Sequence, residues 1–167
     1  MSSQKLAPLQ ERIGYTFKNS KLLEQALTHR SYLNEHPDWP IGHNERLEFL
    51  GDAVLELIVT EYLFAQYPET PEGEMTNWRA ALVNANILSE ITADFDLNDY
   101  MLLSRGEARD TGRARQYILA NAIEAIIGAM YLDGGYEPCK TFVAKFVLTH
   151  LSEIISKKLY RDPKSLL

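Results

Sequence analysis

The segment from Ile118 to Met130 restricts the fold more than any other part of the chain. It is long enough for a helix, it is apolar nearly all round, and its only charge is Glu124. A helix without a polar face has to be buried among other elements. An unpaired carboxylate is costly in such a place, so Glu124 must be protonated, paired or bound to a metal ion. Asn121 lies one turn earlier on the same face.

Proline and glycine divide the rest of the chain into helical blocks, and no segment shows the alternation of a strand. The predicted helices are 4–13, 20–29, 44–67, 70–95, 115–132 and 138–159. Between them, residues 36–42 and 96–115 are predicted to be loops. The sequence therefore predicts an all-α fold in one domain, and 167 residues are enough to bury a hydrophobic core.

The composition excludes several classes of protein. A hydrophobic fraction of 46% is typical of a globular chain. Cys139 is the single cysteine, which excludes an internal disulfide and a cysteine-rich zinc site and fits a reducing cytoplasm. No apolar run reaches the ~18–20 residues that cross a bilayer, and Met1–Lys5 lacks the apolar stretch of a signal peptide. We therefore expect a cytoplasmic protein without a membrane partner.

Four carboxylates form an acidic stripe on the predicted helix 44–67. No lysine or arginine lies in the stripe, and like charges at helical spacing each destabilise a helix by roughly 0.2–0.5 kcal/mol. Gly51 costs about 1 kcal/mol relative to alanine and indicates close approach by another backbone or a ligand. Two interpretations of the stripe remain open, a solvated acidic face and a face that binds a cation. The accumulated loss of helix stability favours the cation. Spacings of three, four and four residues place on one face Glu45, Glu48, Asp52 and Glu56.

A cation bound there would be held by oxygen atoms alone. Such ligands indicate Mg²⁺ or Mn²⁺ rather than zinc or copper. A di-iron bundle would need Glu-x-x-His pairs, which the four histidines do not offer, and His29 and His43 are interpreted as structural. Mg²⁺ held by carboxylates usually acts on phosphates, so the residues indicate metal-assisted phosphoester hydrolysis. The expected ligands are Glu48, Asp52, Asn121 and Glu124.

The segment Glu45–Ala53 resembles the signature motif of the ribonuclease III family. The resemblance covers nearly the whole chain, with further similar motifs at Leu27–Tyr32, Glu72–Thr76 and Ile118–Asp133. It implies an all-α endonuclease domain that forms a homodimer, with an Mg²⁺ site at each end of a valley. Each site would cut one strand of double-stranded RNA, leaving 5′-phosphate and 3′-hydroxyl ends. The implied substrates are structured precursors of ribosomal and messenger RNA.

The resemblance also assigns roles to individual residues. The family's metal-binding acids are matched by Glu48, Asp52 and Glu124. Asp52 and Glu124 are the expected catalytic residues, and Glu45 and Glu72 match further acidic positions lining the cleft. Phe49 matches the aromatic residue that packs into the partner subunit, and an ordinary core position is the alternative for it.

The chain departs from the family pattern in two places. Asn121 stands where the family usually has aspartate. An asparagine ligates Mg²⁺ through its carbonyl oxygen without charge, so we expect weaker metal binding or one metal in place of two. The second departure concerns the part that follows the expected catalytic domain, residues 1–160, where a typical member of the family continues into an RNA-binding domain. Residues 161–167 resemble the linker and start of a double-stranded RNA-binding domain, whose basic surface would offset the net charge of −6.

Two other functions compete with the double-strand-specific endoribonuclease. One is a ribonuclease III-like subunit that binds RNA with impaired catalysis, which Asn121 favours. The other is an all-α, Mg²⁺-dependent nucleotide pyrophosphohydrolase, which also uses pairs of acidic helices. The long motif around Asp52 argues against the latter.

Overall fold

The computed structural model describes residues 3–161, with side chains from 4 to 157. Within that range the regular elements are helices. One isolated backbone bridge pairs Thr28 with Leu102. The all-α prediction is confirmed. Residues 162–167, which hold most of the predicted linker, lie outside the described part. The α-helices are α1 (Ser3–Ile13), α2 (Ser20–Ala26), α3 (Arg30–Glu35), α4 (Glu45–Gln66), α5 (Glu72–Leu82), α6 (Ala85–Ile91), α7 (Arg105–Arg109), α8 (Arg113–Gly134), α9 (Tyr136–Phe146) and α10 (Leu151–Arg161).

The two longest helices, α4 and α8, pack against each other at the centre of the domain, and α2, α6 and α9 surround α8. Between Ala122 and Met130 every residue of α8 is buried except Glu124, as its apolar sequence predicts. None of the helices in residues 3–161 is both long and apolar enough to span a bilayer. The central pair therefore provides the frame on which the acidic residues are placed.

A pair of glycines lies where α4 and α8 cross. A Cβ atom on Gly51 would overlap the backbone carbonyl of Glu124, and one on Gly128 would overlap the carbonyl oxygen of Leu47. Backbone atoms on both sides leave no room for any side chain. The close approach predicted at Gly51 is thus confirmed, and it brings α8 against the acidic stripe.

Gly51→Ala is expected to lower the free energy of unfolding by about 1 to 3 kcal/mol, because the added methyl group pushes the helices apart. Alanine's better helix propensity, worth about 1 kcal/mol, offsets only part of this cost. Urea denaturation of both chains measures the difference. Gly73→Ala on α5 is the control, since nothing lies within 4 Å of its Cβ position. Equal stability of Gly51→Ala and the unchanged chain would contradict the close crossing.

The predicted helix 70–95 is divided in the structure. It ends first at Leu82, and α6 begins after Asn84, whose side-chain oxygen accepts a hydrogen bond from the Ile87 N–H at 2.9 Å. This capping bond satisfies a backbone donor that a continuous helix would have paired internally. A 3₁₀ turn, Thr92–Phe95, then replaces the last part of the predicted helix.

The predicted helices 20–29 and 138–159 are divided as well. The first stops at Ala26, and His29 starts the separate helix α3 by accepting the Ser31 N–H at its Nδ1 atom, 3.2 Å away. The second is interrupted by the 3₁₀ turn Leu148–His150, after which α10 packs on α5. In both cases the apolar periodicity of the sequence continues across the break. The break is imposed by capping and packing, so the periodicity did not predict it.

Candidate functional site

An open cleft of about 490 Å³ lies beside the crossing of α4 and α8. The four predicted metal ligands all line it, two from each helix. They meet there because the glycine crossing holds the backbone of Glu124 against that of Gly51. The lining residues are Glu45, Glu48, Phe49, Asp52, Asn121 and Glu124.

Glu124 forms a side-chain hydrogen bond with Asp52 in this cleft. The pKa of Glu124 is raised to about 9, first by burial, then by its hydrogen bond with Asp52 and by nearby negative charges. Glu124 therefore carries the proton at neutral pH and donates it to the Asp52 carboxylate. Of the three states that the sequence left open for Glu124, the raised pKa favours the protonated one as long as no cation is bound.

Among the described side chains, ion pairs relieve the charge of the acidic stripe only at its first residue, Glu45. Arg30, on α3, forms an exposed ion pair with Glu45 at 3.2 Å, and His43 lies 3.7 Å from the same carboxylate. Among the described side chains, those of residues 4–157, no ion pair reaches Glu48 or Asp52. Burial raises the pKa of Glu48, and the charges of Glu45 and Asp52 raise it further. The stripe therefore keeps uncompensated negative charge where it faces α8.

The cleft residues fit a hard divalent cation by their chemistry. Among the described residues, no three His, Cys, Asp or Glu side chains stand close enough to hold a metal ion in their present conformations. Asp52 and Glu124 nevertheless approach to hydrogen-bonding distance, as two carboxylates do around a common cation. Glu48 and the Asn121 amide line the same cleft and add oxygen ligands of the kind that Mg²⁺ prefers.

Glu72 lies apart from this cleft. It is the first residue of α5 and lines a separate groove of about 170 Å³ together with Phe64 and Arg79. Within one chain, the structure does not bring Glu72 to the other acidic residues, and its position lining the cleft of a dimer stays a prediction. The sequence motif gave no information about which groove this glutamate would reach.

Phe49 projects from the surface of α4, with 83% of its side chain exposed. The core alternative for this residue is therefore wrong. A groove of about 700 Å³ adjoins it, with an apolar lining that includes Leu22, Leu50 and the half-exposed Leu132. An exposed aromatic ring next to an apolar groove is typical of an interaction surface.

Asn44 is a buried residue that sequence reasoning missed. Its side-chain amide donates to the carbonyl oxygen of Ala26 at 3.0 Å, and its backbone N–H donates to that of Thr28 at 2.9 Å. These bonds tie the first turn of α4, and hence Glu45, to the end of α2. An asparagine directly before an apolar-periodic helix was the available signal.

The proton on Glu124 makes the stability of the metal-free fold depend on pH. The folded chain holds this proton up to a pKa of about 9, whereas an unfolded chain releases it near the ordinary value of 4.5. The contribution of Glu124 to the free energy of unfolding is therefore largest below pH 4.5, and it falls as the pH rises toward 9. Glu124→Gln should stabilise the metal-free chain at pH 8 by about 1 to 2 kcal/mol, less than the full shift because solvent screens a half-buried group.

Urea denaturation of both chains between pH 5 and pH 9, with a chelator present, measures this difference. Glu90→Gln, an exposed position on α6, is the control and should leave the pH profile unchanged. An identical pH profile for Glu124→Gln and the unchanged chain would contradict the raised pKa of Glu124.

Comparison with known proteins agrees with this geometry. The family model described as Ribonuclease-III-like matches residues 19–151. The chain is 46% identical to Ribonuclease 3 of Chloroflexus aurantiacus over 92% of its own length and 64% of that protein's. It is 43% identical to Ribonuclease 3 of Shewanella denitrificans over 97% of its own length and 69% of that protein's. The chain thus spans about two thirds of the length of these relatives.

A solved structure adds to this comparison. The nuclease domain of ribonuclease III from Campylobacter jejuni is similar to the chain with a TM-score of 0.77 and 41% identity. The similarity covers 85% of this chain and 95% of that one. The Campylobacter structure is described as flexible in a region involved in dimer formation.

Proposed function

The chain belongs to the ribonuclease III family, and we propose that it is the catalytic part of an endoribonuclease that cuts double-stranded RNA with a divalent metal ion. The observation that carries this proposal is the cleft in which Glu48 and Asp52 of α4 meet Asn121 and Glu124 of α8. Two carboxylates from different helices approach each other in an open cleft, although repulsion and burial oppose it. Such an arrangement favours a cation ligated by both groups.

Glu48, Asp52, Asn121 and Glu124 would hold Mg²⁺, and Mn²⁺ is expected to substitute because both ions accept oxygen ligands. When bound, the ion would acidify a water molecule and neutralise charge on the leaving oxygen. The chain's own contribution is to aim these oxygens from α4 and α8 across a fixed backbone crossing. Water would attack the phosphorus, and the bond to the 3′ oxygen would break as that oxygen gains a proton. The products are a 5′-phosphate and a 3′-hydroxyl end.

The proposed substrates are structured RNA precursors, of ribosomal or messenger origin, and the proposed location is the cytoplasm. Support for the substrate comes from the relatives, which are named Ribonuclease 3. The location is supported by Cys139, which is a buried free thiol.

The proposed partner, besides RNA, is a second copy of the chain. Phe49 and the apolar groove beside it lie next to the acidic cleft and share Glu45 with it. In a symmetric dimer the ring of each chain would occupy the groove of the other, which buries both apolar surfaces at once. This contact would place the two clefts on one assembly, each able to cut one strand.

Phe49→Ala is expected to weaken the dimer by about 2 kcal/mol or more, since truncating a central aromatic residue commonly has that effect. Light scattering over a dilution series measures the dimer dissociation constant for both chains. Tyr62→Ala, a less exposed aromatic residue on the same helix, is the control. A monomeric unchanged chain at micromolar concentration would contradict the proposed interface.

One alternative function has an observation in its favour. Asn121 supplies no charge to the cleft, which would suit a subunit that binds double-stranded RNA and cuts it poorly. Incubating the purified chain with long double-stranded RNA and Mg²⁺ separates the two, because only the endoribonuclease yields short duplex products. Binding without cleavage at any Mg²⁺ concentration would favour the alternative. Family membership argues against the nucleotide pyrophosphohydrolase, and a nucleotide-hydrolysis assay tests it.

A further inference from the structure

Glu45 is the acidic residue of the cleft whose charge a bound metal ion would leave in place. It lines the cleft beside the four proposed ligands but is not one of them. A divalent cation would offset most of the charge of its ligands, whereas the carboxylate of Glu45 would keep its own. The remaining lining residue, Phe49, is apolar. A phosphate group that enters the metal-loaded cleft would therefore meet the negative charge of Glu45 at the rim.

Two groups from outside the cleft hold the Glu45 carboxylate. The guanidinium of Arg30 donates to its Oε1 atom at 3.2 Å, and the Nε2 atom of His43 lies 3.7 Å from its Oε2 atom. His43 also accepts the backbone N–H of Glu45 at its Nδ1 atom, 3.3 Å away. Arg30 begins α3 and His43 precedes α4, and neither of them lines the cleft. The position of the carboxylate at the rim is thus set by residues that the cleft itself does not include.

Arg30 supplies the permanent positive charge in this arrangement. A guanidinium stays protonated in proteins, whereas His43 adds a charge only when it is protonated. Among the side chains of residues 4–157, Glu45 is the one carboxylate with which Arg30 forms an ion pair. The two side chains are 67% and 48% exposed, and an ion pair at such a position adds little to the stability of the fold. The main effect of the pair is therefore on the charge at the rim of the cleft.

We propose that Arg30 is a positioning residue that neutralises Glu45 and so lets the phosphate backbone of an RNA duplex approach the metal-loaded cleft. The proposal rests on the proposed function. Like charges a few ångströms apart at a protein surface repel each other appreciably despite the solvent, and the ion pair removes this repulsion between Glu45 and a phosphate. Arg30 acts through Glu45 and not on the RNA itself, because it does not line the cleft in which the scissile phosphate would lie.

Two other roles for Arg30 are outcomes of the test. An exposed guanidinium is able to bind a phosphate directly, and the first residue of α3 is able to support that helix alone. Neither of these roles needs the charge of Glu45. The contact with Glu45 and the place of Arg30 outside the cleft favour the proposed role. Dependence on the Glu45 charge is therefore the property that separates the three.

The test is a double-mutant cycle of Arg30→Ala and Glu45→Gln, measured as the affinity for a short labelled RNA duplex in a Glu124→Gln background with Mg²⁺ present. Arg30→Ala alone should weaken binding roughly three- to tenfold at low salt, and less at high salt, because mobile ions screen exposed charges. In the presence of Glu45→Gln the same substitution should have no effect, since no charge is left to neutralise. Arg30→Lys keeps the charge and should keep most of the affinity. With Glu124 intact, Arg30→Ala should raise KM far more than it lowers kcat.

Arg12→Ala is the charge-matched control. Arg12 forms an exposed ion pair with Asp96 at 2.7 Å, and neither residue lines the cleft or the groove beside it. This substitution removes an equal charge from an equally simple pair and should leave duplex binding unchanged. Circular dichroism checks that each variant is folded.

The outcomes separate this proposal from the proposed function. An equal loss of affinity from Arg30→Ala with and without Glu45→Gln would overturn the proposal, because the arginine would then bind RNA directly or support α3 alone. Unchanged affinity and KM in Arg30→Ala would overturn it too. Either result leaves the proposed function standing if the unchanged chain binds and cuts RNA. An unchanged chain that binds no duplex would overturn the proposed function as well.

Discussion

Glu124→Gln is expected to abolish cleavage of double-stranded RNA while leaving binding of the duplex nearly intact. Glutamine keeps the shape of the side chain but removes the charge that α8 contributes to the metal cage. Metal ions supply several kcal/mol of transition-state stabilisation in such reactions, so kcat should fall about a hundredfold or more. Duplex affinity depends on basic and polar groups elsewhere and should change little. Gel assays of cleavage and fluorescence titration of binding measure the two effects separately.

Two variants make this result specific. Asn121→Asp adds a carboxylate on the same helix face one turn away, and it should strengthen Mg²⁺ binding and raise the rate at low Mg²⁺. Glu90→Gln removes an equal charge on α6, away from the cleft, and should have no effect. Full cleavage activity in Glu124→Gln would exclude this carboxylate from the mechanism.

The central part of the site could be predicted from the sequence because it depends on local periodicity. Charges at helical spacing had to fall on one face of α4, and an apolar segment had to bury α8 with Glu124 in it. Gly51 indicated a close approach without naming the partner. The partner became clear only in three dimensions, where Gly128 on α8 leaves the same gap.

The remaining features depend on contacts between distant residues, which periodicity does not report. The ion pair of Arg30 with Glu45 joins two helices separated by a loop, and Glu72 reaches a different groove from its acidic neighbours. The break at Asn84 is a third case. Asparagine in an apolar-periodic stretch is a capping signal, but whether the chain uses it depends on how α5 and α6 pack.

Mg²⁺ or Mn²⁺ is expected to raise the melting temperature of the chain well beyond the effect of NaCl at equal ionic strength. The acidic stripe holds negative charge that a divalent cation would neutralise, and Glu124 would become a charged ligand when the cation displaces its proton. An ion that binds the folded cleft and not the unfolded chain adds about 2.7 kcal/mol of stability at a hundredfold excess over its dissociation constant. For a chain of this length that gain corresponds to roughly 5 to 10 °C. Calorimetry with and without the ion measures the shift, and no RNA is required.

Glu48→Ala and Asp52→Ala should each remove this increment, because each takes one carboxylate from the cage. Without metal, either variant should be at least as stable as the unchanged chain, since the repulsion that raises the pKa of Glu48 and Glu124 is reduced. Glu90→Ala removes a distant charge and should keep the full response to the ion. A melting temperature that does not respond to divalent ions at millimolar concentration would contradict the metal site. The acidic stripe would then be a solvated face, and the proposed catalysis would depend on family membership alone.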